Sequence, residues 1–370
     1  MKDPRIDKLA DLLVNYSVSV KPGETVAITG DTDAEPLIKA VFKHVLQAGG
    51  FPFTLLSLNG LDELLYRYAN DEQLRHIPPP QELMIKTYDA RISCYAEHNT
   101  RALSNIDPSR MVIYDKARTN LMDTMMHRSA AGEYKWTLTM FPTNACAQDA
   151  DMSLSEYEDF VYRACMPDQD NPIEYWKHFS AWQDRIIKWL DGKSEVRVLA
   201  KDTDLKINIE GRKFINCDGH NNVPDGEVFT GPVEDGVEGT VYFSYPAIYD
   251  GREVTGVRLW FEKGKVVKAM ADKNEEFLIK KLESDAGSKR VGEFAFGTNE
   301  GIKQFTRQIL FDEKIGGSFH MALGAGYPET GSINKSAIHW DMVCDLRSGG
   351  QVWVDKQLLY ENGKFVINFQ

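Results

Sequence analysis

The feature that most limits how this chain can fold is a change of hydrophobic rhythm near residue 192. Ahead of it, apolar runs of strand length at residues 25–29, 52–58 and 111–114 alternate with stretches patterned for helices. That alternation predicts βαβ units and a mostly parallel sheet. Leu37, Ala40, Val41, Val45 and Leu46 recur at mostly three- and four-residue steps, the spacing of one helix face, and Gly49-Gly50 supplies a stop. Beyond Asp191-Gly192-Lys193-Ser194 the chain alternates with the two-residue period of strands. Residues 205–210 and 213–217 alternate around Gly211-Arg212, residues 257–262 and 266–270 flank Lys263-Gly264-Lys265, and residues 358–367 contain Asn362-Gly363. Each of these reads as a hairpin. The expected architecture is an α/β N-terminal domain, residues 1–192, followed by an α+β, strand-rich C-terminal domain, residues 193–370. With 370 residues in all, each half is long enough to bury its own core. Met125, Met126, Trp176, Trp182 and Trp189 are read as packing.

Several function classes are excluded at this level. A net charge of −12 argues against nucleic acid, because phosphate binding needs a basic face. The nearest candidates, Lys280-Lys281 and Lys289-Arg290, have Glu276, Glu283, Asp285 and Glu293 close by and read as a solvated face. No run is apolar enough to span a bilayer, and the first residues lack the apolar core of a signal peptide. Cys94, Cys146, Cys165, Cys217 and Cys344 are odd in number and without C-x-x-C spacing, which indicates buried thiols in a reducing, cytoplasmic setting.

The residues that propose a reaction fall in the second half. His339 and Asp341 sit two apart in a β-branched and aromatic stretch, so a strand would turn both toward one face. Alone, such a pair is more often a polar rim or a hydrogen-bonded core histidine. Glu313 and His320 are separated by Gly316-Gly317, which frees the backbone to turn. Glu227 stands between a turn and a short apolar run, and Glu293 belongs to a strand in which it would face opposite Phe294. Taken singly, each acid is an ordinary surface charge.

Together the phrases resemble the M29 family of metallo-aminopeptidases. The family's N-x-P-x-x-E-V-F-T-x-P phrase matches residues 222–232, its G-E strand matches Gly292-Glu293, and its L-F-D-E phrase followed by H-x-A-L-G matches residues 310–324. The final S-x-x-H-x-D strand matches residues 336–341, and the order is the family's order. Residues 20–37 and 141–162 resemble its opening and middle segments, so the likeness spans nearly the whole chain. The chain is shorter than the usual member, both ahead of Glu227 and between His320 and His339, beside the site.

The resemblance implies an aminopeptidase acting on peptides, a homodimer, Glu227, Glu293, Glu313, His320, His339 and Asp341 as metal ligands, and Tyr327 as the catalytic tyrosine. Four carboxylates and two neutral imidazoles carry a formal charge of −4, which two divalent cations cancel. Oxygen and imidazole ligands suit Zn²⁺, Co²⁺ or Mn²⁺. Glu227 is the first choice for general base. The rival is a non-haem Fe(II) ring-cleaving dioxygenase using His320, His339 and Asp341, a type that also resembles this family. It has no need of Glu227, Glu293 and Glu313 together. A metal-free binding protein on the same fold is the third reading, and no ligand type it would lack is missing.

Overall fold

The computed structural model describes residues 3–165 and 170–369. The chain forms two compact units, one of residues Met1–Tyr175 with Gly219–Pro224, the other of Trp176–Asp218 with Asp225–Gln370. The helix Pro172–Leu190 therefore runs mostly in the second unit, where Ile186 and Leu190 join the core. The sequence had placed the change of character after that helix, at residue 192, because strand rhythm begins only there.

In the first unit, strands β1 (Thr25–Asp31), β2 (Phe51–Ser57), β3 (Ala90–Tyr95), β4 (Lys135–Met140) and β8 (Asn222–Val223) form one sheet in the order β2-β1-β3-β4-β8, all parallel. Val26, Ala27 and Ile28 are buried in succession, as befits a strand covered on both faces. Helix Glu35–Gln47 buries Leu37, Ile38, Val41 and Val45 and is followed by Gly49 at φ +81°, the stop the sequence predicts.

One strand was misplaced. Residues 111–114 lie inside the helix Pro108–Ala130, whose start is fixed by Asp107 accepting from the Ser109 N–H and by Pro108 in the first turn. A four-residue apolar run fits either period, and here the cap decides. The strand that takes its place in the sheet is β3, whose apolar run is interrupted by Arg91. Met125 is buried as expected, but Met126 on the same helix is exposed.

The second unit is strand-rich and antiparallel. Strands β5 (Glu195–Ala200), β6 (Thr203–Asn208), β10 (Val237–Tyr242), β13 (Arg258–Glu262), β14 (Lys265–Met270), β18 (Gln351–Val354), β19 (Gln357–Glu361) and β20 (Lys364–Phe365) form a sheet in the order β14-β13-β10-β6-β5-β18-β19-β20. Strands β7 (Ile215–Cys217), β9 (Glu227–Thr230), β15 (Val291–Gly297), β16 (Ser318–Gly324) and β17 (His339–Asp345) form a second, in the order β17-β16-β15-β9-β7. A separate two-stranded ribbon joins β11 (Ala247–Tyr249) to β12 (Arg252–Val254). One apolar core unites Val198, Leu205, Val241 and Leu259 of the larger sheet with Phe294, Phe319 and Met342 of the smaller. Trp176 is buried, and Trp182 and Trp189 pack against that core.

Two of the three expected hairpins form. Lys263 and Gly264 link β13 to β14, Asn362 and Gly363 link β19 to β20, and all four have the positive φ that a tight right-twisting turn requires. The third does not. β6 pairs with β5 and β10, whereas β7 pairs with β9 in the other sheet. Between them Arg212 pairs with Glu234 at 2.6 Å and donates to the Gly331 carbonyl, and the Lys213 N–H donates to the Thr330 carbonyl at 3.0 Å. These long-range bonds draw the chain out of one sheet and into the next.

Candidate metal centre

The smaller sheet of the second unit sorts its side chains by parity. Phe294 and Phe296 of β15, Phe319, Met321 and Leu323 of β16, and Trp340 and Met342 of β17 enter the core. Their neighbours in sequence, Glu293, His320, His339 and Asp341, take the opposite face. A bulge between Val291 and Glu293 resets the register just where the acid appears. Cross-strand partners on this face are short. Glu293 and Asp341 both pair with Ala322, His320 with Ala295 and Val343, His339 with Gly324, and Glu227 with Gly297 and Cys217. No large side chain therefore separates the acids from the imidazoles. Glu313 arrives from outside the sheet, at the end of the short helix Ile309–Asp312 between β15 and β16.

The six sequence-predicted candidates converge. Nε2 of His320 lies 3.1 Å from Oε2 of Glu227 and 3.6 Å from Oε1 of Glu293. Nε2 of His339 lies 3.2 Å from Oε2 of Glu293 and 3.5 Å from Oδ1 of Asp341. Glu293 thus offers one oxygen to each imidazole. Three overlapping trios, Glu227 with Glu293 and His320, Glu293 with His339 and Asp341, and Glu313 with His320 and Asp341, each bring their ligand atoms within 4.8 Å of one another. Among the described residues no such trio contains both histidines. Nδ1 of His339 is 2.8 Å from the Ala325 carbonyl, which fixes the ring and presents Nε2 to the acids. The site closes around His320, 1% exposed, and opens at His339, whose side chain is 28% exposed.

Crowding governs the electrostatics. Burial together with repulsion from Glu227 and Asp341 pushes the Glu313 carboxyl up to about 8, although Lys314 opposes it. Burial disfavours charge on His339, yet Asp341 and Glu293 outweigh it and raise the imidazole to about 12. His320 is likewise raised well above its ordinary value by Glu227 and Glu293, against burial. Asp341 falls to about 2 because His339, His320 and Lys314 overcome its desolvation. The pocket therefore demands positive charge. Oε2 of Glu227, Nδ1 of His320 and Oδ1 of Asp341 are buried without a hydrogen-bond partner. Unsatisfied buried oxygens beside imidazole nitrogens fit divalent cations of the zinc, cobalt or manganese type. The thiol of Cys217 lies near Asp225 and Glu227 as well, but burial and the two acids raise it far above its usual range, which keeps it a thiol.

Two residues here escaped the sequence reading. Lys314, fully buried, pairs with Glu313 and stands 3.9 Å from Oε1 of Glu227. Its signal was its place directly after Glu313, which reads as a surface ion pair until the burial is known. Gln183, on the helix Pro172–Leu190, is also fully buried, and its Nε2 donates to the carbonyls of Glu227 at 2.9 Å and Cys217 at 3.1 Å. Standing between Trp182 and the charged Asp184-Arg185, it left no signal in the sequence. Tyr327 lies on the connection after β16, its ring edge-on to Phe229 and His339 with centroids 5.2 Å away in each case. That connection is held by Glu234, which accepts from the Ile333 N–H at 2.8 Å while paired with Arg212.

Comparison with known proteins accords with this geometry. Aminopeptidase 2 of Geobacillus stearothermophilus is 26% identical over 92% of this chain and 92% of its own length. The structure of wild-type AmpT from Thermus thermophilus superposes with a TM-score of 0.87 at 21% identity, covering 98% of this chain and 99% of that one. A 2,5-dihydroxypyridine dioxygenase from Pseudomonas putida KT2440 shares the fold more distantly, with a TM-score of 0.59 at 12% identity over 98% and 97% of the two chains. The family of thermophilic metalloproteases designated M29 matches residues 2–365. An α/β unit with a parallel sheet and a strand-rich unit whose one sheet face gathers carboxylates and imidazoles are thus what a member of that family looks like in this sequence: the chain belongs to the M29 metalloproteases.

Proposed function

We propose that this chain is a metal-dependent aminopeptidase that removes the N-terminal residue of peptides, with two divalent cations held by Glu227, Glu293, Glu313, His320, His339 and Asp341. The observation that carries this reading is Glu293, which offers one oxygen toward His320 and the other toward His339. A carboxylate shared in this way suits two ions better than one, and the similarity to Aminopeptidase 2 supports the choice of reaction. The dioxygenase reading asks His320, His339 and Asp341 to surround a single iron, and the separation of the two histidines into different trios speaks against it.

When bound, the cations would polarise the scissile carbonyl and acidify water. Glu227 is the general base and acid. Burial alone would raise it, but Lys314, 3.9 Å from its Oε1, favours the ionised carboxyl and so keeps it able to accept a proton. The same carboxyl then returns that proton to the leaving amine. Burial, first of all, raises the Tyr327 phenol and keeps it a hydroxyl donor. In this reading its hydroxyl stabilises the oxyanion formed on attack.

We also read the protein as a cytoplasmic homodimer. Its five cysteines are free, and Phe51, Phe53 and Leu56 of the edge strand β2 are exposed, as an interface between copies would require. No helix among the described residues is long and apolar enough to cross a membrane. The test is release from aminoacyl anilides with and without chelator, alongside metal analysis of the same preparation. Chelator-sensitive release with about two Zn²⁺, Co²⁺ or Mn²⁺ per chain supports the proposal. One iron with oxygen uptake on dihydroxypyridines would overturn it.

A further inference from the structure

The first unit contains a cleft of about 280 Å³ between its parallel sheet and the helices Pro79–Thr87 and Pro108–Ala130. Its sheet side runs from Arg91, near the start of β3, to Tyr95 at the end of that strand, and includes Thr29 and Asp31 of β1. Alternation puts Arg91 and Thr29 on one face, because Arg91 pairs with Ala27 and Ser93 with Thr29, whose hydroxyls meet at 2.9 Å. Met84 and Met125 form part of the apolar wall. In the order β2-β1-β3 the connections leave β1 and β3 toward opposite edges of the sheet, and Asp31 and Tyr95, at the carboxyl ends of these two strands, line the cleft. In open parallel sheets that is where ligands bind.

The charge inside is unbalanced. Nε of Arg91 is buried without a hydrogen-bond partner, and among the described residues its guanidinium donates only to the Met125 sulfur, at 3.5 Å from Nη2. No carboxylate pairs with it among the described residues. Arg118 also lines the cleft; its Nε is likewise buried without a partner, but its Nη1 and Nη2 donate to the carbonyls of Leu74, Tyr114 and His76 and its guanidinium lies over the Tyr114 ring. Asp31 faces the same space with one oxygen taken by the Ala96 N–H. Two cations and one anion leave a single positive charge in excess. A half-buried guanidinium set in apolar walls is ordinarily neutralised by a partner, and here the protein provides none.

We propose that this cleft binds a small monocarboxylate with an apolar body, its carboxylate on Arg91 and its body against Met84 and Met125. The single excess charge and the acid at Asp31 select a singly charged head over a phosphate dianion. The volume, just below the range of ordinary ligand pockets, selects a molecule of about ten heavy atoms over a peptide. This site is independent of the hydrolytic reading.

The test uses 3-phenylpropionate as probe on the full-length protein with ¹³C-labelled methionine methyls, assigned by single Met→Leu variants. The expected result is saturable shifts of the Met84 and Met125 signals, with those of Met321 and Met342 in the second unit unmoved. R91M should weaken binding about ten- to a hundredfold, the worth of a charged hydrogen bond. R91K, which keeps the charge and guards against mere misfolding, should retain part of it. The neutral 3-phenylpropionamide should bind as weakly as the probe binds R91M. The inference fails if the Met84 and Met125 signals stay still, if R91M binds as well as the parent, if the amide equals the acid, or if phenyl phosphate binds more tightly.

Discussion

In the first unit, β1 buries Val26, Ala27 and Ile28 in succession between two parallel neighbours, whereas in the second, β15 alternates Glu293, Phe294, Ala295 and Phe296 between two antiparallel ones. Both strands sit inside five-stranded sheets. The parallel strand gives both faces to packing, so its polar groups collect at strand ends and in the cleft beneath two helices. The antiparallel strand spends one face on the core and frees the other for chemistry. It keeps that second face almost as dry as the first, and a charge buried there demands a counter-charge. Dryness with crowded acids is what distinguishes a cation site from a solvated acidic surface.

The contrast between the two faces of β15 can be broken by substitution. The largest effect is expected from Glu293→Ala, which removes the shared carboxylate. Peptide-anilide turnover, kcat/KM, should fall by about a thousandfold or more, about 4 kcal/mol of transition-state stabilisation. Retained turnover would mean the shared carboxylate is not part of the reaction. Next comes Phe296→Ala, on the core face of the same strand, which should cost about 3–5 kcal/mol in denaturant unfolding yet leave turnover of the folded fraction within a few-fold of the parent. Of similar size is Lys314→Met. Loss of the internal cation leaves the Glu227 carboxylate without its counter-charge in a dry pocket, a cost of about 3–5 kcal/mol to the metal-free protein that saturating Zn²⁺ should partly restore. The smallest change is Ala322→Val, which overpacks the space between Glu293 and Asp341. It should cost about 1–3 kcal/mol and weaken metal retention on dialysis, whereas the same change on the core face would alter stability alone.

Much of this was legible in the sequence where a short-range rule governs. The period of two puts His339 and Asp341 on one face and sets Glu293 against Phe294, and the Asn362-Gly363 turn closes its hairpin. The resemblance to the M29 family named the candidates, and the fold brings them together. What could not be read depends on partners distant in sequence. Residues 213–217 alternate like a hairpin arm, but Arg212 finds Glu234 and Gly331, and the strand joins the other sheet. Residues 111–114 are too short to separate helix from strand without the cap at Asp107. Lys314 and Gln183 look like ordinary surface residues until burial is known. The short side chains across from each acid, Ala322, Ala295 and Gly297, acquire meaning only from the register.

The most direct test of the central claim is anomalous X-ray scattering from crystals of the protein loaded with Zn²⁺. The account predicts two peaks flanking the Glu293 carboxylate, one against Glu227 and His320 and the other against His339 and Asp341. A single peak bound by both histidines, or density away from these six side chains, would contradict it.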